Sequence, residues 1–325
     1  MERTIFHIDV NSAFLSWTSV ENLRTGKGPD LREVPAIIGG DQQSRHGVVL
    51  AKSLSAKAFG VSTGEPIVSA LKKCPHLQMA PPDHKMYRRY SSQLMELLRT
   101  FCPNLEQLSI DECFLDFTEQ LTGYPGAEEA ATIIKDTVYE CLGFTVNIGI
   151  SSRRVLAKMA SDFQKPNLVH TLFPEEIPAK MRPLPVRELY MAGRSSAETL
   201  NKLGIYTIGD LARSDRTLIE SHLKSHGALL WEYANGIDDT PVTTEFQEAK
   251  GIGNSTTLSK DVTRRDDAHA VLKELSDMVA SRLQKAQQLA GTITVEIKYS
   301  TFQSVSHQTS MLTAANDADS IYRTA

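Results

Sequence analysis

The chain opens on an apolar run, "RTIFHIDV" (3–10), which predicts a buried strand ending in Asp9. "PAIIGG" and "HGVVLA", within 35–51, predict two short strands around a polar loop, and 54–60 a helix that stops at Gly60. Over 86–101, Tyr87, Tyr90, Leu94, Leu97, Leu98 and Phe101 share one helical face. "LSIDECFLDF" (108–117) sets an acidic pair inside an apolar stretch. That pattern predicts two short strands joined by a tight turn, with Asp111-Glu112 at its tip. A helix follows over 127–142, then "FTVNIGIS" (144–151), where Val146, Ile148 and Ile150 alternate as in a half-buried strand. "RRVLAKMASDF" (153–163) is helical and ends before Pro166.

Strands and helices mix here without a regular βαβ rhythm, so the fold class is α+β rather than a doubly wound sheet. The sequence contains neither a G-x-x-x-x-G-K-[ST] loop nor a strand–GxGxxG–helix unit. From residue 184 short helices are broken by glycines. "LPVRELYMAGRSSAETLNKLGIYTIGDLA" predicts a helix, a tight turn at Gly193, a second helix from Ser195 to Leu203, then Gly204. Such a helix–hairpin–helix presents backbone N–H groups to a phosphate oxygen, although an ordinary corner between two helices has the same pattern. Residues 237–250 are polar and turn-rich, as in a linker. The last part predicts strand ("GNSTTLS"), helix (267–288), strand ("GTITVEIKYS"), strand ("SVSHQTSML") and a helix starting near Asn316. This is a β-α-β-β-α-β unit lacking its final strand, which about 15 to 20 further residues would complete, so a truncated chain is expected. An open sheet edge would follow from that loss.

Composition narrows the class. With 325 residues, 41% hydrophobic and 23% charged, the chain can build two or three domains with proper cores. No apolar run reaches membrane-span length, and the N-terminus lacks a signal peptide's cleavage site, so a cytoplasmic location is expected. Cys74, Cys102, Cys113 and Cys141 are far apart and suit free thiols rather than zinc ligands or disulfides. A net charge of −4 argues mildly against a nucleic-acid partner, which only local geometry could overturn.

Candidate chemistry gathers on three acids. If strand 3–10 lies beside the 108–117 hairpin, Asp9, Asp111 and Glu112 meet at one end of a sheet. Bare carboxylates repel there, and divalent cations relieve the cost. Hard oxygen donors in this number suit Mg²⁺ or Mn²⁺, not zinc. Two Mg²⁺ ions would activate a 3′-hydroxyl and stabilise a leaving pyrophosphate. A solvated turn with no function remains the other reading of the acidic pair.

"HIDVNSAF", "SIDECFLDF", "VNIGISSRRVLAKMASDFQKPN" and "KGIGNSTTL" occur in the order found in Y-family (translesion) DNA polymerases, and the resemblance spans essentially the whole chain. It implies a right-hand architecture: a palm from 1–10 and 76–166, fingers over 11–75, a helix–hairpin–helix thumb over 167–236, a linker over 237–250 and a little finger from 251 to 325. It implies that Asp9, Asp111 and Glu112 ligate two Mg²⁺ ions, with Mn²⁺ as a substitute and the Val10 carbonyl completing one site. Phe14 falls at the aromatic steric gate that excludes a ribose 2′-hydroxyl; from the residue alone it would be a core aromatic. Lys165 matches the lysine that reaches the incoming triphosphate; alone it would be a solvated charge at a helix end. Contacts to primer–template DNA would come from backbone amides and local lysines, at Gly193, Ser195, Ser196 and Lys260, which reconciles DNA binding with the negative net charge.

The sequence also departs from the pattern. The family's fingers commonly carry Tyr and, three residues later, Arg, where this chain has Leu54 and Lys57, with Ala51 in place of a hydroxyl residue. Leucine donates no hydrogen bond, and lysine lacks bidentate geometry. Lys57, helped by Lys52, would then hold the triphosphate as point charges, with weaker nucleotide affinity. Asn11 stands where an acid is frequent, and Met191-Ala192-Gly193 where Gly-x-Gly is typical. The leading expectation is a monomeric, low-fidelity DNA polymerase that adds dNTPs to a primer 3′-end and tolerates damaged templates, with any sliding-clamp motif in a missing C-terminal segment. Two other readings are a non-catalytic DNA-binding accessory protein and a palm-type nucleotide cyclase. A pure binder has no use for a repulsive acidic cluster, and a cyclase no use for the thumb.

Overall fold

Strand β1 (Ile5–Val10) is buried along its whole length. In the computed structural model, which describes residues 3–40, 47–245 and 250–325, it is the middle of a five-stranded sheet ordered β5-β6-β1-β7-β8. The partners are β5 (Leu105–Gln107), β6 (Glu112–Asp116), β7 (Val146–Ser151) and β8 (Val169–Thr171). β1 runs antiparallel to both β6 and β7, and β8 runs parallel to β7 after a helical crossover through α6 (Arg154–Ser161).

Alternation along β1 divides the sheet into two faces. Phe6, Ile8 and Val10 enter a core built with α1 (Ala13–Thr25), α4 (His84–Phe101) and α5 (Ala127–Leu142), where Trp17, Tyr87, Leu94, Leu98, Ile134 and Val138 are buried. Ile5, His7 and Asp9 point to the other face, which α6 covers. Gly149 of β7 permits that cover. A Cβ there would lie 2.0 Å from the Ala157 carbonyl oxygen and 2.4 Å from the Ser161 nitrogen, so any larger residue would push α6 off the sheet. Because both faces are covered, β7 is buried throughout rather than half-buried as its alternation suggested.

Around this centre lie two further cores. β2 (Ala36–Gly39), β3 (Val49–Lys52) and β4 (Gln78–Ala80) form a small sheet ordered β3-β2-β4, closed by α2 (Leu54–Ala58) and α3 (Ile67–Lys73) over Ile37, Val49, Val61 and Ile67. The predicted polar loop between β2 and β3 lies mostly at 41–46, outside the described residues. The region after β8 carries α7 (Ile177–Lys180), α8 (Arg194–Lys202), α9 (Ile208–Arg213) and α10 (Arg216–Ala234), and its core includes Val155, Leu156 and Met159 from α6. Before Gly193 the predicted full helix is only a 3₁₀ turn, Val186–Glu188, which stops where Leu189 takes an extended conformation (φ −64°, ψ 132°).

Residues 237–245 do not behave as a free linker. The Asp238 carboxylate accepts from the Val155 N–H at the start of α6 (2.9 Å), and Arg154 donates to the Pro241 carbonyl (2.6 Å). The Thr243 N–H donates to Glu106 (2.9 Å), and Val242 packs on Ile5, Phe114 and Ala157. Polar residues read as a turn-rich linker are capping and pairing groups here. Residues 246–249 of the predicted linker lie outside the described residues.

Residues 250–325 form a separate compact unit. In it α11 (Arg265–Lys285) and α12 (Ala318–Thr324) pack Ala280, Leu283 and Ile321 beside the antiparallel pair β9 (Ala290–Lys298) and β10 (Ser304–Ala315). The strand predicted at "GNSTTLS" is not formed. Gly253 gives its carbonyl to Arg282 of α11 (2.7 Å) instead of to a ladder. Among the described residues no helix is long and apolar enough to cross a membrane.

Candidate active site

Register brings the acids together. Asp9 pairs directly with Glu112 across β1–β6, so the two side chains share the α6 face. The Val10 N–H donates to the Asp111 carbonyl (3.1 Å), which sets the turn against the end of β1. The predicted hairpin is present with a shifted tip: Asp111 closes the turn and Glu112 is the first residue of β6. Leu108 and Ser109 donate their N–H groups to the Glu112 carbonyl, so Leu108 belongs to the turn and not to a strand.

Each carboxylate has its own partner. Glu112 accepts from Lys158 Nζ (2.6 Å), Asp9 from Lys165, and Asp111 from the Ser109 hydroxyl (2.7 Å). Asp162 joins the two lysines, 3.3 Å from Lys158 and 2.8 Å from Lys165. Burial raises the Asp9 carboxyl above its ordinary range, against the pull of Lys165 and Lys158. Burial alone would lower both ammonium groups, but the surrounding carboxylates more than offset it and hold Lys158 and Lys165 above the usual lysine range. Asp162, although desolvated, is held low by the two lysines.

The donor set is made of hard oxygens at one end of the sheet, the chemistry a divalent cation of the Mg²⁺ or Mn²⁺ type prefers. Asp111 and Glu112 are half-buried carboxylates beside Asp9, so the residues fit such an ion. Among the described residues no three ligand groups already converge on one point.

Phe14, in the first turn of α1, stacks on Tyr87 with centroids 4.4 Å apart and planes 7° from parallel, and meets the edge of His84 at 6.0 Å. The Tyr87 hydroxyl reaches Thr18 Oγ1 (3.2 Å), whose own hydroxyl donates to the Phe14 carbonyl (2.7 Å). The ring is therefore half-buried and braced, not lost in the core.

On the small sheet Lys52 is half-buried and donates to Thr63 (3.2 Å), while Lys57 of α2 is exposed. Burial lowers Lys52, and the Lys57 charge lowers it further. Leu54 is 58% exposed and Ala51 is buried, so neither offers a polar group to a ligand. No hydrogen bond or ion pair links Lys52 or Lys57 to the three acids among the described residues.

Gly193 is the N-cap of α8, and among the described residues no side chain caps that helix, which leaves the first-turn N–H groups around Ser195 and Ser196 available to an anion. Met191 takes the left-handed conformation, φ 70°, that a glycine would adopt without strain. Lys260 is exposed on an irregular segment before α11, in the 250–325 unit.

Lys158 and Asp162 are functional candidates that motif reading passed over. Their signal was present as a 4-then-3 spacing, Lys158–Asp162–Lys165, which places all three on one side of a helix end.

Comparison with known proteins gives the class. Residues 8–162 match the model of the impB/mucB/samB family and residues 249–325 that of its C-terminal domain. The DNA polymerase IV of Clostridium acetobutylicum is 48% identical over 321 residues, 99% of this chain and 81% of that protein. The DNA polymerase IV of Clostridium kluyveri is 36% identical over 95% of this chain and 76% of that protein, and DNA polymerase IV 1 of Bacillus subtilis 34% identical over 99% and 77%. A solved Y-family DNA polymerase chimera superposes with a TM-score of 0.83 at 23% identity, covering 98% of this chain and 91% of its own. The chain belongs to the Y-family of DNA polymerases. The α+β polymerase architecture expected from the sequence is the one it has.

Proposed function

We infer that the protein is a DNA-directed DNA polymerase of translesion synthesis, extending a primer 3′-end with deoxynucleotides along a template, at low fidelity and past damaged bases. The observation that carries this reading is the direct pairing of Asp9 with Glu112 beside Asp111, under a helix that supplies a dedicated lysine. An accessory protein that only grips DNA would have no reason to keep acids and counter-charges in this register.

Asp9, Asp111, Glu112 and the Val10 carbonyl would hold two Mg²⁺ ions, which when bound supply the Lewis-acid chemistry of nucleotidyl transfer. The remaining roles belong to the chain. Lys165 binds the triphosphate from the sheet side, and Lys57 with Lys52 from the small sheet, as point charges without the bidentate hold of an arginine. The Phe14 ring, braced by Tyr87, fills the space of a ribose 2′-hydroxyl and selects deoxynucleotides. First-turn amides of α8 at Gly193, Ser195 and Ser196 take a DNA backbone phosphate, and Lys260 makes a second contact from the C-terminal unit. A DNA substrate suits the cytoplasmic location expected from the sequence, and the protein acts as a monomer on one primer end.

Primer extension on an undamaged and an abasic template, with dNTPs and Mg²⁺, tests the reading against Asp111→Ala/Glu112→Ala. We expect extension on both templates, lost in the variant while primer–template is still bound. Binding without extension by the natural protein would favour the accessory reading.

A further inference from the structure

Lys165 lies in a segment without regular structure between α6 and β8, yet its ammonium must arrive at a defined point beside Asp9. Two asparagines, one on β7 and one just after β1, fix that segment. Asn147, near the start of β7 and fully buried, uses every hydrogen-bonding position of its amide. Its Nδ2 donates to the carbonyls of Gln164 (2.7 Å) and Ser161 (3.2 Å). Its Oδ1 accepts from Asn11 Nδ2 (3.1 Å) and from the Leu168 N–H (3.3 Å). Asn11 in turn accepts the Asn167 N–H on Oδ1 (2.9 Å). Residues 161, 164, 167 and 168, on both sides of Lys165, are thus tied to one asparagine pair. The amide orientation of Asn147 follows from chemistry, since two carbonyl acceptors can face only its NH₂. Asn147 also sits directly opposite Asp9 in the β1–β7 register, so the anchor of the loop and the carboxylate that Lys165 meets are neighbours.

We propose that Asn147 and Asn11 form a positioning pair that sets the reach of Lys165 toward the incoming triphosphate. The inference rests on the reading of Lys165 as a nucleotide ligand. The pair works as a unit. Fully satisfied buried networks hold a single arrangement, whereas one mismatched group leaves its partners unpaired. Asn11 is the sensitive member. Replacing it by the acid frequent at this position in the family would keep the acceptor for Asn167 but set an oxygen against Asn147 Oδ1. The acid is therefore expected to harm this chain, because both N–H donors of Asn147 are already given to Ser161 and Gln164.

The test is equilibrium dNTP binding, in Mg²⁺, to the protein on a primer–template whose primer ends in a dideoxynucleotide, so that no turnover occurs. The proteins are the natural chain, Asn11→Asp, Lys165→Ala and Asn11→Asp/Lys165→Ala, each checked by thermal unfolding. We expect Asn11→Asp and Lys165→Ala each to raise the dNTP Kd about tenfold, and the double variant to be no weaker than Lys165→Ala alone. A purely structural role would lower the unfolding temperature and leave Kd unchanged, or would add its effect to that of Lys165→Ala; either result overturns the proposal. If Lys165→Ala binds dNTP like the natural protein, the reading of Lys165 fails and the positioning role falls with it. Should Asn11→Asp not fold, Asn147→Ala below its unfolding temperature replaces it, with the same outcomes.

Discussion

The two faces of the central sheet solve opposite problems with one alternating strand. Phe6, Ile8 and Val10 face a dry core of α1, α4 and α5, where exclusion of water is the stabilising term. Ile5, His7 and Asp9 face α6, where beyond Ile5 the neighbours are Glu112, Asn147 and Lys158, and every polar group needs a partner. The comparison teaches that the acid-bearing end of the sheet is stabilised by specific pairings, so loss of either member of a pair leaves the other unmatched. The apolar face tolerates change of identity but not of volume.

The largest effect on stability is expected from the dry face. Leu94 is fully buried in α4, and Leu94→Ala should cost about 2–5 kcal/mol in denaturant unfolding while leaving incorporation per folded molecule unchanged. A smaller unfolding cost, or slower chemistry in the folded fraction, would blur the distinction between the faces. Next comes Lys57→Ala on the small sheet, expected to raise the nucleotide KM about tenfold with little change in kcat. An unchanged KM would remove Lys57 from triphosphate binding.

The smallest effect is a pH dependence confined to the α6 face. His7 is buried, with Nδ1 on the Ser161 hydroxyl (2.7 Å) and Nε2 without a hydrogen-bond partner among the described residues. Burial, and then the charges of Lys158, Lys165 and Arg154, push its imidazole well below the ordinary histidine value. The unfolded chain therefore binds the proton first, and folding stability falls as pH drops below about 6.5. In His7→Gln that part of the slope should vanish in unfolding measured between neutral pH and the ordinary carboxylate range. A slope unchanged by the substitution would mean that other groups carry it.

Legibility in the sequence divides along the same line. Alternation in β1 and helical periodicity in α4 are properties of single segments, and both elements form where the pattern puts them. The acidic pair was visible because Asp111-Glu112 interrupts an apolar run. What surrounds it was not visible, since Lys158 reaches Glu112 only after Gly149 lets α6 settle on β7, a packing fact that no local pattern carries. Residues 238–243 misled for the same reason: Asp238, Pro241 and Thr243 look solvated until α6 and Glu106 supply their partners. "GNSTTLS" misled in the other direction, since β-branched residues favour a strand only where a ladder is available.

Single-nucleotide incorporation by Glu112→Gln, with primer–template affinity measured in parallel, tests most directly whether the α6 face is the reactive one. Glutamine keeps the shape and an oxygen for Lys158 but removes the charge. We expect incorporation to fall by about 10²-fold or more with DNA affinity unchanged. Incorporation at the natural rate would contradict the assignment of the site to this end of the sheet.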